Sequence, residues 1–233
     1  MLGERIVTAI VTAAGSGTRL QTERNKMYVD LAGKSVLLRT MQALLSSSYI
    51  DDYIIVIRKE DLPLVKGEVL SYLPEDCRVK LVYGGDTREE STYFGLAALP
   101  EKTQIVVTHD GARPFVNVDR IDAVIEAMEG EMAAILAVPC KDTIKILRRD
   151  QTVEATPDRS VLYSVQTPQV FDRDTIVRCY RTAMTEGFRV TDDASIAEIL
   201  GVRVRVILGD YANIKITTKE DLLFGELLLR GCK

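Results

Sequence analysis

Apolar positions in this chain fall into short blocks of two kinds. Ile6 to Val11 is short, mostly apolar and rich in β-branched residues, and Tyr53 to Ile57 is a continuous apolar run. That is the pattern of strands buried on both faces. Between them, Ser35 to Leu45 carries Val36, Leu37, Leu38, Met41, Leu44 and Leu45 at helical spacing. The alternation continues. Leu62 to Tyr72 predicts a helix with Pro63 in its first turn, Val79 to Tyr83 a strand, and Thr87 to Leu99 a helix closed by Pro100. Gln104 to Thr108 predicts a fourth strand, Val118 to Met128 a helix and Ala133 to Val138 a fifth strand. Strand–helix alternation over the first ~140 residues predicts an α/β fold, its sheet mostly parallel and covered on both faces.

From Lys141 the rhythm changes. Thr143 to Leu147 and Thr152 to Thr156 are short β-like pieces flanking Arg148-Arg149-Asp150, which has the composition of a hairpin turn. Such an insertion is either an arm that covers a site or embraces a partner, or an edge extension of the sheet; the pattern fits both. Val161 to Gln166 then runs into Thr167-Pro168-Gln169, and Asp174 to Met184 predicts a helix. Asp192 or Asp193 suits the N-cap of a further helix. Val202 to Leu208 and Asn213 to Ile216 predict strands, and Thr218 to Leu229 a closing amphipathic helix. With no repeat or flexible linker, residues 1–233 are expected to form one domain with an arm at about 141–160.

In parallel sheets ligands bind beyond the carboxyl ends of the strands. Three polar, glycine-bearing stretches, at residues 13–19, 84–86 and 109–113, are placed there. The first, Ala13-Ala14-Gly15-Ser16-Gly17-Thr18-Arg19, precedes Lys26. Small residues let backbone amides approach a phosphate chain closely, and the two cations add to the attraction. It is neither of two familiar phosphate loops. No Lys-Ser or Lys-Thr follows the glycines, and Leu20 stands where a dinucleotide fingerprint needs a third small residue. A plain strand-to-helix turn with solvated cations would show the same glycines.

Net charge is −4, which excludes a long basic surface for nucleic acid but not a local basic pocket. Cys77, Cys140, Cys179 and Cys232 are scattered without metal-ligand or disulfide spacing, so a reducing cytoplasm is the expected setting. The apolar run after Met1 is too short for a signal peptide, and none approaches the ~20 residues of a membrane span.

Single residues read two ways. Asp110, after a buried strand and before Gly111, suits either Mg²⁺ or a turn. His109, the only histidine, has no serine or cysteine nucleophile motif to serve and is expected to be structural. Asp86 could bind a ribose or cap the helix behind it. Lys215, between two isoleucines, is expected on the solvent face of a strand.

Taken together, the motifs resemble those of the 2-C-methyl-D-erythritol 4-phosphate cytidylyltransferase family. The resemblance runs through the first loop, Gly84-Gly85-Asp86-Thr87-Arg88, His109-Asp110-Gly111-Ala112-Arg113-Pro114 and Asp142-Thr143-Ile144-Lys145. It continues in Asp158-Arg159-Ser160, Gln166-Thr167-Pro168-Gln169, Thr191-Asp192-Asp193-Ala194-Ser195 and Asn213-Ile214-Lys215-Ile216-Thr217. It implies a Rossmann-like three-layer nucleotide-diphospho-sugar transferase fold, a β-arm, a homodimer and Mg²⁺. CTP and methylerythritol phosphate would give the CDP-linked alcohol and pyrophosphate. By resemblance, Ala13, Ala14, Gly15, Arg19 and Lys26 would hold the CTP phosphates, and Gly85, Asp86, Ser91 and Gly111 the cytosine and ribose. Asp110 would hold the metal. Arg113, Thr143, Arg159 and Lys215 would meet the alcohol phosphate, Thr143 and Arg159 from the partner's arm. Met27 stands where the family commonly has Gln, and Gly111 where it often has Ala. A ribitol-5-phosphate cytidylyltransferase and a non-catalytic nucleotide-binding scaffold are the alternatives.

Overall fold

The computed structural model describes residues 5–15, 25–188 and 191–231. The first half has β1 (Ile6–Thr12), β2 (Asp30–Leu31), β3 (Lys34–Ser35), α1 (Val36–Leu45), β4 (Asp52–Ile57), α2 (Leu62–Glu68), β5 (Val79–Tyr83), α3 (Arg88–Ala97) and β6 (Thr103–Asp110). There follow α4 (Val118–Glu126), β7 (Ala133–Pro139), β8 (Ile146–Leu147), β9 (Val153–Ala155), β10 (Tyr163–Asp172), α5 (Arg173–Glu186), α6 (Asp193–Ile199), β11 (Arg205–Leu208) and α7 (Lys219–Gly231).

Seven strands form one sheet in the order β11-β7-β10-β6-β1-β4-β5. β6, β1, β4 and β5 are mutually parallel, and β11 is parallel to β7; β10 runs antiparallel to both its neighbours, β6 and β7. The expected mostly parallel sheet is therefore present with one reversed strand. From β1 the chain moves outward to β4 and β5, then returns to β6 on the other side of β1. The strand order thus reverses at the β1/β6 pair, and the carboxyl ends there open a crevice.

Both faces of the sheet are covered, as the apolar runs require. One core joins Val7, Val11, Ile55 and Val107 to Leu37, Met41 and Leu44 of α1 and Ile121 and Ile125 of α4. The other joins Ile10, Ile54 and Val106 to Leu96 of α3, Ile176 and Tyr180 of α5 and Ile196 of α6. Ser35 caps α1 by accepting from the Leu38 amide, an interaction that typically contributes about 1 kcal/mol.

Four expectations are corrected. The Leu62–Tyr72 helix breaks at Val69 (φ −126°, ψ −66°), and Leu70–Tyr72 is a separate 3₁₀ turn. The strand expected from Val202 begins only at Arg205, where pairing with Ala134 starts. The hairpin strands are shorter than predicted, and they pair only with each other, Ile146 opposite Ala155. Among the described residues neither strand joins the seven-stranded sheet, so the segment is not an extension of its edge. Asn213 to Ile216 is not a strand. Its amides go to nearby turns and to the β6 loop (Asn213 to Asp210, Ile214 to Ala212, Ile216 to Ala112), so no neighbouring strand is paired.

Candidate active site

At the strand-order reversal lies a cavity of about 570 Å³. All three polar stretches reach it. Thr12 ends β1 and Ala14 and Gly15 follow it, Gly84 to Thr87 join β5 to α3 with Arg88 opening that helix, and Asp110 ends β6. Five basic side chains (Lys26, Arg58, Lys59, Arg88, Lys215) and three acidic ones (Glu60, Asp86, Asp110) line it. An acidic chain thus concentrates positive charge at this one mouth, which suits a polyanionic guest.

The wall between β5 and α3 is packed without slack. A β-carbon on Gly84 would lie 2.5 Å from the Ala14 β-carbon and 2.7 Å from Ser91 Oγ, so the first and second loops meet backbone to side chain. At Gly15 an added β-carbon would meet nothing within 4 Å among the described residues. Thr87 and Glu90 form a capping box on α3. Glu90 also accepts from the Asp86 amide (2.7 Å), and Ser91 Oγ accepts from the Gly85 amide (3.2 Å). Asp86 is therefore not the cap; Thr87 is.

Asp110 is the electrostatic centre. Lys215 Nζ lies 2.7 Å from its carboxylate, Arg113 Nε 3.7 Å and Arg88 Nε 4.0 Å. Burial opposes ionisation of the carboxyl, but Lys215, Arg88 and Arg113 outweigh it and hold its pKa well below the usual value. The Asp110 amide donates to Thr167 Oγ1 (3.0 Å), whose hydroxyl donates to His109 Nδ1 (3.0 Å). His109 Nε2 then donates to the Arg113 carbonyl (3.2 Å), fixing the tautomer. Burial pushes the His109 pKa down to about 4, so the ring is neutral and fully engaged. It is structural, as expected.

Lys215 is not a solvated strand lysine. Ile216 is fully buried beside Leu31 and Val36, Asn213 Nδ2 donates to the Thr167 carbonyl (2.9 Å), and the irregular segment between them carries Lys215 to Asp110.

Of the anticipated residues, Ala14, Gly15, Lys26, Gly85, Asp86, Ser91, Asp110 and Lys215 line the cavity. Ala13 and Gly111 sit just behind it, and a β-carbon on Gly111 would press within 3.1 Å of Leu37 and the Thr12 carbonyl. Arg113 reaches Asp110 from outside the lining. Thr143 and Arg159 are exposed on the arm, and neither lines the cavity; Arg159 donates to the Lys141 carbonyl (2.8 Å). Arg19 lies outside the described residues.

The family model for 2-C-methyl-D-erythritol 4-phosphate cytidylyltransferase matches residues 7–231. The chain belongs to this family. A 2-C-methyl-D-erythritol 4-phosphate cytidylyltransferase of Caldanaerobacter subterraneus subsp. tengcongensis is 41% identical over 224 residues, covering 96% of this chain and 99% of that protein. One from Clostridium novyi is 40% identical, with 97% of each chain covered. Among solved structures, the 4-diphosphocytidyl-2C-methyl-D-erythritol synthase of Anaerococcus prevotii superposes with a TM-score of 0.88 at 39% identity, covering 97% of this chain and 96% of that one.

Several residues of this cytidylyltransferase carry no site role in the sequence reading, yet the geometry ties them to the site. Arg88, the first residue of α3, makes a two-pronged pair with Asp193 (2.7 and 3.1 Å) and also faces Asp110. Tyr180 donates to the same Asp193 carboxylate. Gln169 ties down the start of α6, donating to Asp192 (2.7 Å) and accepting from the Ala194 amide (3.0 Å). The signal was available: two adjacent acids before a helix cannot both be its cap, and Asp192 is the one that takes the Ser195 amide.

Proposed function

We propose that this chain transfers CMP from CTP to 2-C-methyl-D-erythritol 4-phosphate. The products are 4-diphosphocytidyl-2-C-methyl-D-erythritol and pyrophosphate, within isoprenoid precursor synthesis by the non-mevalonate route. The supporting observation is the gathering of Lys26, Lys215 and Asp110 with the β1 loop in one cavity at the strand-order reversal. The end-to-end family match favours this acceptor over ribitol 5-phosphate. A scaffold without activity would not need a buried carboxylate poised among three cations. The whole chain acts as one cytidylyltransferase domain with an arm, in the cytoplasm. Among the described residues no helix is long and apolar enough to cross a membrane.

The reaction is an in-line displacement. A phosphate oxygen of the alcohol phosphate attacks the α-phosphorus of CTP, the bond to the β-phosphate oxygen breaks, and pyrophosphate leaves with that electron pair. The nucleophile is already ionised at neutral pH, so no general base is needed, in keeping with a neutral, fully bonded His109. Two anions must meet, and the chain's cations reduce their repulsion. Lys26, with Arg19 and loop amides around Ala13, Ala14 and Gly15, neutralises the triphosphate and the charge growing on the equatorial oxygens. Gly85, Asp86, Ser91 and Gly111 hold the nucleoside, and Lys215 and Arg113 serve the incoming phosphate.

Among the described residues no three His, Cys, Asp or Glu side chains gather to cage a metal. One ionised carboxylate, Asp110, still fits Mg²⁺, which is usually held by one or two carboxylates with phosphate oxygens and water supplying the rest. When bound, the ion would withdraw charge from the phosphates.

A homodimer through the arm completes the site. Ile146, Leu147 and Val153 on the arm are each about half exposed, at 47, 53 and 51%, and in this chain the arm strands pair only with each other. The partner's arm would bring Thr143 and Arg159 to the alcohol phosphate. Arg159→Ala should raise KM for the alcohol phosphate roughly 10- to 100-fold, the worth of a charge-assisted hydrogen bond, and leave that for CTP nearly unchanged. Steady-state kinetics on both substrates checks this, and a collapse of CTP binding would refute the assignment.

The activity itself is tested by pyrophosphate release with CTP against ATP, GTP and UTP, and with methylerythritol phosphate against ribitol phosphate. Release with ribitol phosphate alone, or none with any acceptor, would overturn it.

A further inference from the structure

Lys26 is buried at the cavity wall on a turn of only three residues, Lys26–Tyr28. Met27 and Tyr28 anchor the turn from below in the α1 core. What sets it from the front is less obvious. Asn25 precedes the turn and is itself buried; its Oδ1 accepts from the Met27 amide (3.2 Å), and its carbonyl accepts from the Tyr28 amide (2.9 Å). The other end of that side chain, Nδ2, donates to Asp61 Oδ2 at 2.7 Å. Asp61 lies between β4 and α2, and is only 3% exposed. Its carboxylate is held in turn by Arg58, through Nε to Oδ2 (2.9 Å) and Nη2 to Oδ1 (2.9 Å).

Arg58 and Lys26 both line the cavity. The chain Arg58–Asp61–Asn25 therefore crosses behind its wall from the end of β4 to the turn that carries the ammonium. A charge-assisted, two-pronged pair is the most directional contact available to an arginine and a carboxylate. It orients Asp61, and Asp61 orients the Asn25 amide, leaving the amide oxygen no choice but to cap the turn. Asp61 and Asn25 do not line the cavity, so neither is placed to touch a substrate.

We propose that Asp61, braced by Arg58 and acting through Asn25, is the positioning residue for Lys26. This rests on the functional reading above, in which Lys26 stabilises the triphosphate during transfer. A positioned ammonium acts on the transition state, where displacement of about 1 Å can cost on the order of a hundredfold. Asp61 should thus govern turnover more than ground-state binding.

The test is a double-mutant cycle on the full chain, assayed by pyrophosphate release with CTP and 2-C-methyl-D-erythritol 4-phosphate. Asn25→Ser keeps an acceptor at the cap but no longer reaches Asp61. It should lower kcat roughly 10- to 100-fold while KM for CTP changes less than about threefold. Added to Lys26→Ala, the same change should cost less than about twofold more, because the group it positions is gone. Asp61→Asn, which cannot satisfy Arg58 and Asn25 together, should behave alike and serves if Asn25→Ser does not fold. A normal kcat in Asn25→Ser and Asp61→Asn, or the full loss repeated on Lys26→Ala, overturns the proposal and leaves Lys26 its role. Undiminished turnover in Lys26→Ala would instead remove the role of Lys26, and the proposal with it.

Discussion

Asp193→Ala is expected to be the most destabilising single change near the cavity. Asp193 is fully buried and accepts both prongs of Arg88 together with the Tyr180 hydroxyl. Burial opposes the Arg88 charge, and Asp193 with Asp110 more than restores it, raising its pKa above the ordinary value. Removing Asp193 strands that charge with one acid left nearby, Asp110 at 4.0 Å. Breaking a buried pair by deleting one partner typically costs about 3–5 kcal/mol. Arg88 keeps 29% of its side chain accessible at the cavity, so water recovers part of this and the lower end, about 3 kcal/mol, applies. For a chain of this size that corresponds to a fall in Tm of roughly 6–12 °C. Calorimetry of Asp193→Ala, Arg88→Ala and the double variant should show strong non-additivity, the second deletion costing little once the first is made. A Tm within about 2 °C of the parent would mean that the pair contributes nothing net, as some buried pairs do.

The elements with a clear period were legible from the chain alone. The β-branched runs Ile6 to Val11 and Tyr53 to Ile57 read as buried strands because both faces of each carry apolar side chains, and the observed strands, Ile6–Thr12 and Asp52–Ile57, each extend the run by one residue. Val79 to Tyr83 matched residue for residue. Asn213 to Ile216 misled for a physical reason: two isoleucines flanking a lysine satisfy the strand period, but period says nothing about whether a partner strand is within reach. Ile216 is buried by α1 and the β2 region, not by the sheet. The reversal of β10 was equally invisible, since a strand buried on both sides has the same composition in either direction.

The site was legible to the depth of its lining. Small residues at strand ends and the Asp110 turn announce a place where backbone approaches a ligand, and the cavity lies there. The layer behind was not legible, because hydrogen-bonding residues that steady a wall look like ordinary loop polarity. Thr167 holding the Asp110 amide, and Asn25 joined to Asp61, link positions 57 and 36 residues apart. No spacing rule connects them; only the fold does.

Asp110→Asn should cost the most activity. The substitution keeps shape and leaves the backbone amide on Thr167, so loss cannot be assigned to a collapsed loop. It removes the one negative charge that Lys215, Arg113 and Arg88 share. Two consequences follow, and they pull in different directions. Lys215 and Arg113 lose their counter-charge while Arg88 keeps its pair with Asp193, so the cavity attracts CTP at least as strongly as before and nucleotide binding should hold or tighten. Lys215, released from its 2.7 Å contact, loses the partner that fixes its ammonium, and the carboxylate proposed to hold Mg²⁺ disappears. Transition-state stabilisation should therefore fall while ground-state binding does not, giving a kcat lower by roughly a hundred- to a thousandfold. The half-saturating Mg²⁺ concentration should rise in the same variant. Kinetics over a Mg²⁺ titration, with CTP binding measured by calorimetry, separates the two. Turnover within about tenfold of the parent at unchanged Mg²⁺ requirement would make Asp110 a mere turn residue, and the charge arrangement around it structural.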